Sequence, residues 1–366
     1  MTGTRQMAAI LAAGLSAAFA PSSIAQGQIQ LTPPAAQPVP PPAAKSAAKP
    51  KPGKPAPAKL EQKNDPPPSP TTTAERAAPP PPGRDLDLAY GAYQRGFYLT
   101  AFSIATRRVE EKGDVKAMTL LGELYANGLG IQQNDEKAAE WYRLAADRGD
   151  REAMFALAMF RFGGRAGATN REEAAKLLAA AAKLGHVTAA YDLGLIYLEG
   201  RQFPQDFARA AELFRSAAQA GSPEAQYALA TLYKEGRGVP KDVREAVQLL
   251  AAASAADYID AQVEYAIALF NGTTIPKDEA GAAALLKKAA NKGSPIAQNR
   301  LANILAVGRG IQANPVEAIK WHLVSKAGGA SDLGLDDFMR RQSPAVREAG
   351  EAAAKPWVEA IKAARS

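Results

Sequence analysis

The sequence predicts an all-α fold, a right-handed α-solenoid of tandem helix-turn-helix repeats. Three observations predict it. The same residue types return every 36 positions, without an insertion, from about Asp114 to Ala327. The returning types are those that begin, end and closely pack helices. The chain from Arg84 onward also carries every Trp and Tyr, whereas residues 26–83 contain no Phe, Trp or Tyr.

In chain order, residues 1–25 read as a secretory signal. Arg5 supplies a positive start, Met7 to Ala20 is an apolar run, and Ser23-Ile24-Ala25 offers the small-x-small pattern of a cleavage site before Gln26. The run is too short to span a bilayer comfortably. A periplasmic protein is therefore expected, with an uncleaved signal in the inner membrane as the alternative. With 0 cysteines the chain has no lipid-bearing Cys after the signal and no disulfide.

Residues 26–83 form the next segment, with 18 of the 27 prolines falling between Leu31 and Gly83. Such a stretch buries too little apolar surface to offset its ordering entropy, so a disordered linker is expected. Lys45, Lys49, Lys51, Lys54, Lys59 and Lys63 lie in it. Contact with cell-wall polymer or anionic membrane is one reading of these lysines, and a solvated spacer is the other. Residues 1–83 hold 8 Lys/Arg and 3 Asp/Glu, leaving 36 basic and 34 acidic residues in the remainder. The net charge of +7 is thus mostly a property of the leader and linker. The near-neutral folded part lacks the basic stripe that nucleic-acid binding requires.

The solenoid is placed at 84–330. Asp85 to Lys112 reads as a degenerate opening helix pair, and six full repeats follow. Asn134, Asn170, Asp206, Asp242, Asp278 and Asn314 form one row of N-caps that start the second helix of each repeat. Gly128, Gly164, Gly200, Gly236, Gly272 and Gly308 close the first helix, where a left-handed residue is easiest for Gly. A second glycine row (Gly113, Gly149, Gly185, Gly221, Gly293, Gly329) closes the other helix, with Asp257 as its exception. Alanines recur at Ala117, Ala153, Ala189, Ala225, Ala261 and Ala297, and again from Ala138 to Ala318, where helices must cross closely. Leu121, Leu157, Leu193, Leu229 and Leu301 are expected to fill the core from first helices. Trp141, Leu177, Leu213, Leu249, Leu285 and Trp321 are expected to fill it from second helices. Residues 331–366 read as a helical cap, with Ser343 as N-cap and Pro356 forcing a bend.

Leu193-Gly194-Leu195-Ile196-Tyr197, then Gly200, Asp206, Ala210, Phe214, Ala217-Ala218 and Gly221, resemble the Sel1-like repeat, a relative of the tetratricopeptide repeat. The resemblance covers roughly 110–330. It departs at Arg161, in the loop Gly164-Arg165-Ala166-Gly167, and at Tyr265-Ala266. It implies an adaptor or scaffold that holds partner proteins in a concave groove. Exported bacterial members resemble regulators of envelope sensor kinases or assembly factors for surface polysaccharide. The absence of cysteine sets this chain apart from lipid-anchored and disulfide-rich branches.

No catalytic motif accompanies the repeats. The 2 histidines, His186 and His322, lie in different repeats. Without cysteine there is no thiolate metal site or Cys/His nucleophile, and neither an enzyme nor a cofactor is expected. His186, just after Gly185, is expected to be exposed, and His322 to be a semi-buried packing residue. If first helices line the concave side, Phe155, Met159, Phe162, Tyr191, Leu195, Leu198, Tyr227, Ile267 and Phe270 form an apolar, aromatic strip. Such strips mark interaction sites and supply anchoring residues, so the expected partner is an envelope protein held there. Two alternatives stay open: packing between neighbouring helices, and a glycan or peptidoglycan ligand suggested by Tyr191 beside Asp192.

Overall fold

The structure, a computed structural model, describes residues 88–201 and 203–365. The expected signal and linker lie outside these residues. The described residues fall in one compact unit of sixteen α-helices. An opening pair, α1 (Leu88–Gln94) and α2 (Tyr98–Lys112), precedes six repeats of two helices each. The first helices are α3 (Val115–Asn127), α5 (Arg151–Gly163), α7 (Val187–Glu199), α9 (Pro223–Glu235), α11 (Ile259–Asn271) and α13 (Pro295–Val307). They alternate with the second helices α4 (Asp135–Ala146), α6 (Arg171–Lys183), α8 (Phe207–Gln219), α10 (Val243–Ala255), α12 (Glu279–Asn291) and α14 (Pro315–Ala327). Two terminal helices follow, α15 (Leu333–Arg340) and α16 (Pro344–Ala363). Through the repeats each helix packs on its chain neighbours, and α16 lies against α14.

Local chemistry sets these boundaries. Asn134 Oδ1 accepts the Lys137 N–H at 2.8 Å, and Asp206 Oδ1 accepts that of Arg209 at 2.9 Å. The other four members of that row cap their helices in the same way. First helices have a cap row of their own, in Asp114, Asp150, His186, Ser222 and Ser294. His186 is therefore not the exposed residue the sequence suggested. It is 8 % exposed, its Nδ1 accepts the Ala189 N–H at 3.1 Å, and its Nε2 stands 3.1 Å from Glu152. Burial pushes its pKa below the ordinary 6.5, against the pull of Glu152. The ring is then neutral at pH 7, and with Nδ1 accepting, Nε2 carries the proton and donates to Glu152. Asp257, the exception in the second glycine row, adopts a left-handed φ of 67°. Its carboxylate is held by Lys288 and Lys292.

The crossing alanines are buried as expected: Ala153, Ala189, Ala225, Ala261 and Ala297 are 0 % exposed. The core row of the second helices needs a correction. Trp141, Leu177, Leu213, Leu249 and Leu285 are only half-buried, and the inward row lies one position later, at Tyr142, Leu178, Phe214, Leu250, Leu286 and His322. Opposite it runs a small-residue row on the first helices, Gly122, Ala158, Gly194, Ala230, Ala266 and Ala302. The two rows compensate each other. A Cβ on Gly122 would lie 2.6 Å from the Tyr142 ring, and one on Gly194 2.6 Å from the Phe214 ring. Glycine stands where the facing side chain is Tyr or Phe, and alanine where it is Leu or His. A close-packed interior requires this constancy of pair volume.

The C-terminal pair closes the core. His322, fully inside rather than semi-buried, meets Asp336 through Nε2 at 2.8 Å. The Arg365 guanidinium donates to the Ala327 and Gly328 carbonyls at 2.7 and 3.0 Å. The helix α16 runs on through Pro356 as a single element. Trp357, next to the proline, sets its ring 5.2 Å from that of Trp321.

Candidate binding groove

The first helices present one face of the repeat array. Between α9, α11 and α13, with α10 as floor, that face sinks into a depression of about 430 Å³. Tyr227 and Lys234 of α9 line it, with Asp260, Val263, Glu264 and Ile267 of α11 and Ile296 and Arg300 of α13. Ile296 is the most exposed of these apolar groups, at 57 %. Nothing in the depression resembles a catalytic group of residues, and no cluster of His, Asp or Glu suited to a metal occurs among the described residues.

The nine residues expected to form the strip divide into two sets. Leu195, Leu198 and Phe270 are buried at 2–3 % exposure, and their side chains belong to the core. Residues at the same repeat positions stay half-buried, Met159 and Ile267 with Leu195, and Phe162 with Leu198 and Phe270, so burial here changes from repeat to repeat and not by row. Phe155, Met159, Phe162, Tyr191, Tyr227 and Ile267 are half-buried. Phe155 stacks on His186 with ring centroids 4.4 Å apart, Tyr191 tilts over Phe214 at 5.6 Å, and Tyr227 meets Tyr258 at 5.3 Å. These rings thus have a packing role and keep part of their surface exposed, and Tyr227 lines the depression.

Carboxylates, not apolar groups, interrupt the strip. Glu264 accepts the Tyr227 hydroxyl at 3.4 Å and pairs with Lys234 at 2.5 Å. Asp260 titrates above the ordinary 3.8 because burial, and then the Glu264 charge, disfavour its ionised form. Asp192 is 6 % exposed, and burial alone pushes its carboxyl up to about 7. Burial and neighbouring acids also raise Tyr191 and Tyr227, so both hydroxyls stay protonated at any physiological pH. Asp192 is not the open neighbour of Tyr191 that stacking on a sugar would need. The expected strip did not include Asp260, Glu264, Ile296 or Arg300. The signal that finds them is their phase, since Asp192, Glu264 and Arg300 share one repeat position.

At the C-terminal end the face is closed by amides. Asn303 and Asn299 donate to Asp332 Oδ2 at 2.8 and 3.2 Å, while Asp332 Oδ1 caps α15. No helix among the described residues is long and apolar enough to cross a membrane.

Comparison with known proteins agrees with this architecture. The Sel1 repeat model matches residues 115–150, 151–186, 187–222, 223–258, 259–294 and 295–325. A Sel1 repeat protein from Oxalobacter formigenes is similar at 26% identity and a TM-score of 0.56, over 66% of this chain and 98% of that one. A protective antigen of uropathogenic Escherichia coli strains, displaying an SLR fold, is similar at 25% identity and a TM-score of 0.52. That likeness covers 72% of this chain, which spans 64% of the antigen's length. No curated protein matches the chain.

Proposed function

Because the chain belongs to the Sel1 repeat family, whose members are generally non-catalytic protein-interaction scaffolds, we propose that it is an adaptor whose first-helix face holds a segment of a partner protein. The observation that carries this reading is the depression of about 430 Å³ between three successive first helices. It joins an exposed apolar group, Ile296, to half-buried Tyr227 and Ile267 and to the charges of Asp260 and Arg300. A mixed surface of this kind, aromatic and apolar at its centre with charges at its edge, is what a protein segment needs for both affinity and orientation. An exported setting, with an envelope protein as partner, is proposed with it on the strength of the signal-like residues 1–25.

The test is a photo-crosslinking side chain at Ile296, compared in cells with one at Leu184, which is exposed at the end of α6. A discrete protein adduct at Ile296 and none at Leu184 is the expected result. Equal labelling at both positions, or none at Ile296, refutes the reading.

A further inference from the structure

The chain repeats one position with a carboxylate twice, and only one of the two is paired. Glu264 on α11 receives Tyr227 and Lys234 from the preceding first helix, α9. Asp192 on α7 is the same position two repeats earlier. The positions on α5 that match Tyr227 and Lys234 are Phe155 and Phe162. Neither ring can donate a hydrogen bond or carry a charge. Asp192, 6 % exposed, accordingly makes no hydrogen bond or ion pair among the described residues. Buried carboxylates without partners are costly and are rarely retained unless something pairs with them.

We propose that Asp192, with Phe155, Met159 and Phe162, receives a cationic side chain, a lysine or arginine, from the partner segment held on the first-helix face. The inference rests on the adaptor reading above and names the chemistry its partner must carry. The alkyl stem of the incoming side chain lies along the half-buried rings and the Met159 thioether, as amphipathic cations do. Its charged head takes the place at Asp192 that the Lys234 ammonium takes at Glu264. The rings present negative faces to the cation and exclude water from the pair. This side chain would be supplied by the partner because the first-helix neighbour has given up its own.

The probe is n-butylammonium chloride, the lysine side chain alone, added at pH 8 to the full chain labelled with carboxyl-13C aspartate. A saturable shift of the Asp192 resonance, absent with equal sodium chloride, is expected. Asp192→Asn should weaken butylammonium binding, read from backbone amide shifts, by at least about tenfold, the loss of one charge-assisted bond. Glu140→Gln, at an exposed position of α4, should leave it unchanged. No saturable shift, or equal binding by Asp192→Asn, overturns the assignment while leaving the crosslinking result at Ile296 untouched. Conversely, a failed crosslink with intact butylammonium binding overturns the adaptor reading and keeps the cation site. Replacing the six linker lysines by glutamine in the full chain checks the source of the cation. An Asp192 resonance that moves on that replacement would assign the site to the chain's own lysines and overturn the partner assignment.

Discussion

Replacing Asp192 by asparagine should make the protein more resistant to unfolding at pH 8 than at pH 4, relative to the parent chain. Unfolding exposes Asp192 to water, where it titrates at the ordinary 3.8, whereas in the fold burial holds it at about 7. Between these values the folded state binds a proton that the unfolded state has lost. Folding stability contributed by this group therefore falls as pH rises, starting near 4 and levelling off above 7. At about 1.4 kcal/mol per pH unit the loss accumulates to about 4 kcal/mol. Asparagine has the same shape and no charge to desolvate, so its contribution is flat. The assay is urea unfolding followed by circular dichroism from pH 4 to pH 8, comparing the two proteins at each pH so that every other titrating group cancels. The stability difference between variant and parent should grow by about 4 kcal/mol across that range in favour of the variant. Parallel curves would show that Asp192 is solvated or paired in solution, and the reasoning would fail with them. A protein that keeps such a carboxylate sacrifices stability at the pH where it works, and binding is the usual reason.

Other variants test other parts of the fold. Gly194→Ala should destabilise by about 1–3 kcal/mol through overpacking against Phe214. Adding Phe214→Leu should recover most of that loss, and an additive double variant would refute the compensation between the two rows. Phe162→Lys places a lysine where Lys234 stands beside Glu264, and it should return the Asp192 titration toward the ordinary carboxylate range and block butylammonium. An unmoved Asp192 resonance would refute the equivalence of the two positions. His186→Asn keeps an N-cap but removes a group whose pKa burial lowers from 6.5. The parent protein loses stability as pH falls below about 6.5, where the unfolded imidazole protonates more readily than the folded one. The variant should lose that component, and identical pH profiles would argue against a buried neutral imidazole.

Much of the fold could be read from the 36-residue phase, because caps and crossing points demand particular residue types. Asn and Asp recurring in strict phase mark helix starts, since their side chains take up the orphan N–H groups there. The in-phase alanines mark the points where helices touch. What phase alone does not supply is the rotation of each helix about its own axis. Trp141-Tyr142, Leu177-Leu178, Leu213-Phe214 and Leu249-Leu250 are all apolar pairs, so composition does not say which member faces inward. His322 is the polar member of the inward row, and Asp336 meets its Nε2 there. Leu195, Leu198 and Phe270 share repeat positions with half-buried residues, so phase alone does not mark them as core. His186 was misread because histidine is an uncommon N-cap, although it stands in register with Asp114, Asp150, Ser222 and Ser294. The groove charges escaped notice because they vary from repeat to repeat, and a search for constancy passes over positions that differ.

The pairing of glycine with an aromatic ring and alanine with leucine bears on how such an array grows and shrinks. Gly122 and Tyr142 belong to one 36-residue unit, as do Gly194 and Phe214. A gain or loss of genetic material with breakpoints between units, near Gly149 or Gly221, moves both halves of a fitted pair together and leaves every interior intact. A breakpoint inside a unit, in the loop between its two helices, joins an alanine to a ring it cannot accommodate or leaves a glycine facing a leucine with a void. Recombinants of the second kind are handicapped from birth. The repeat is thus the unit that carries fitted pairs intact, and its groove-facing side chains are free to diverge because they lie outside the fitted pair.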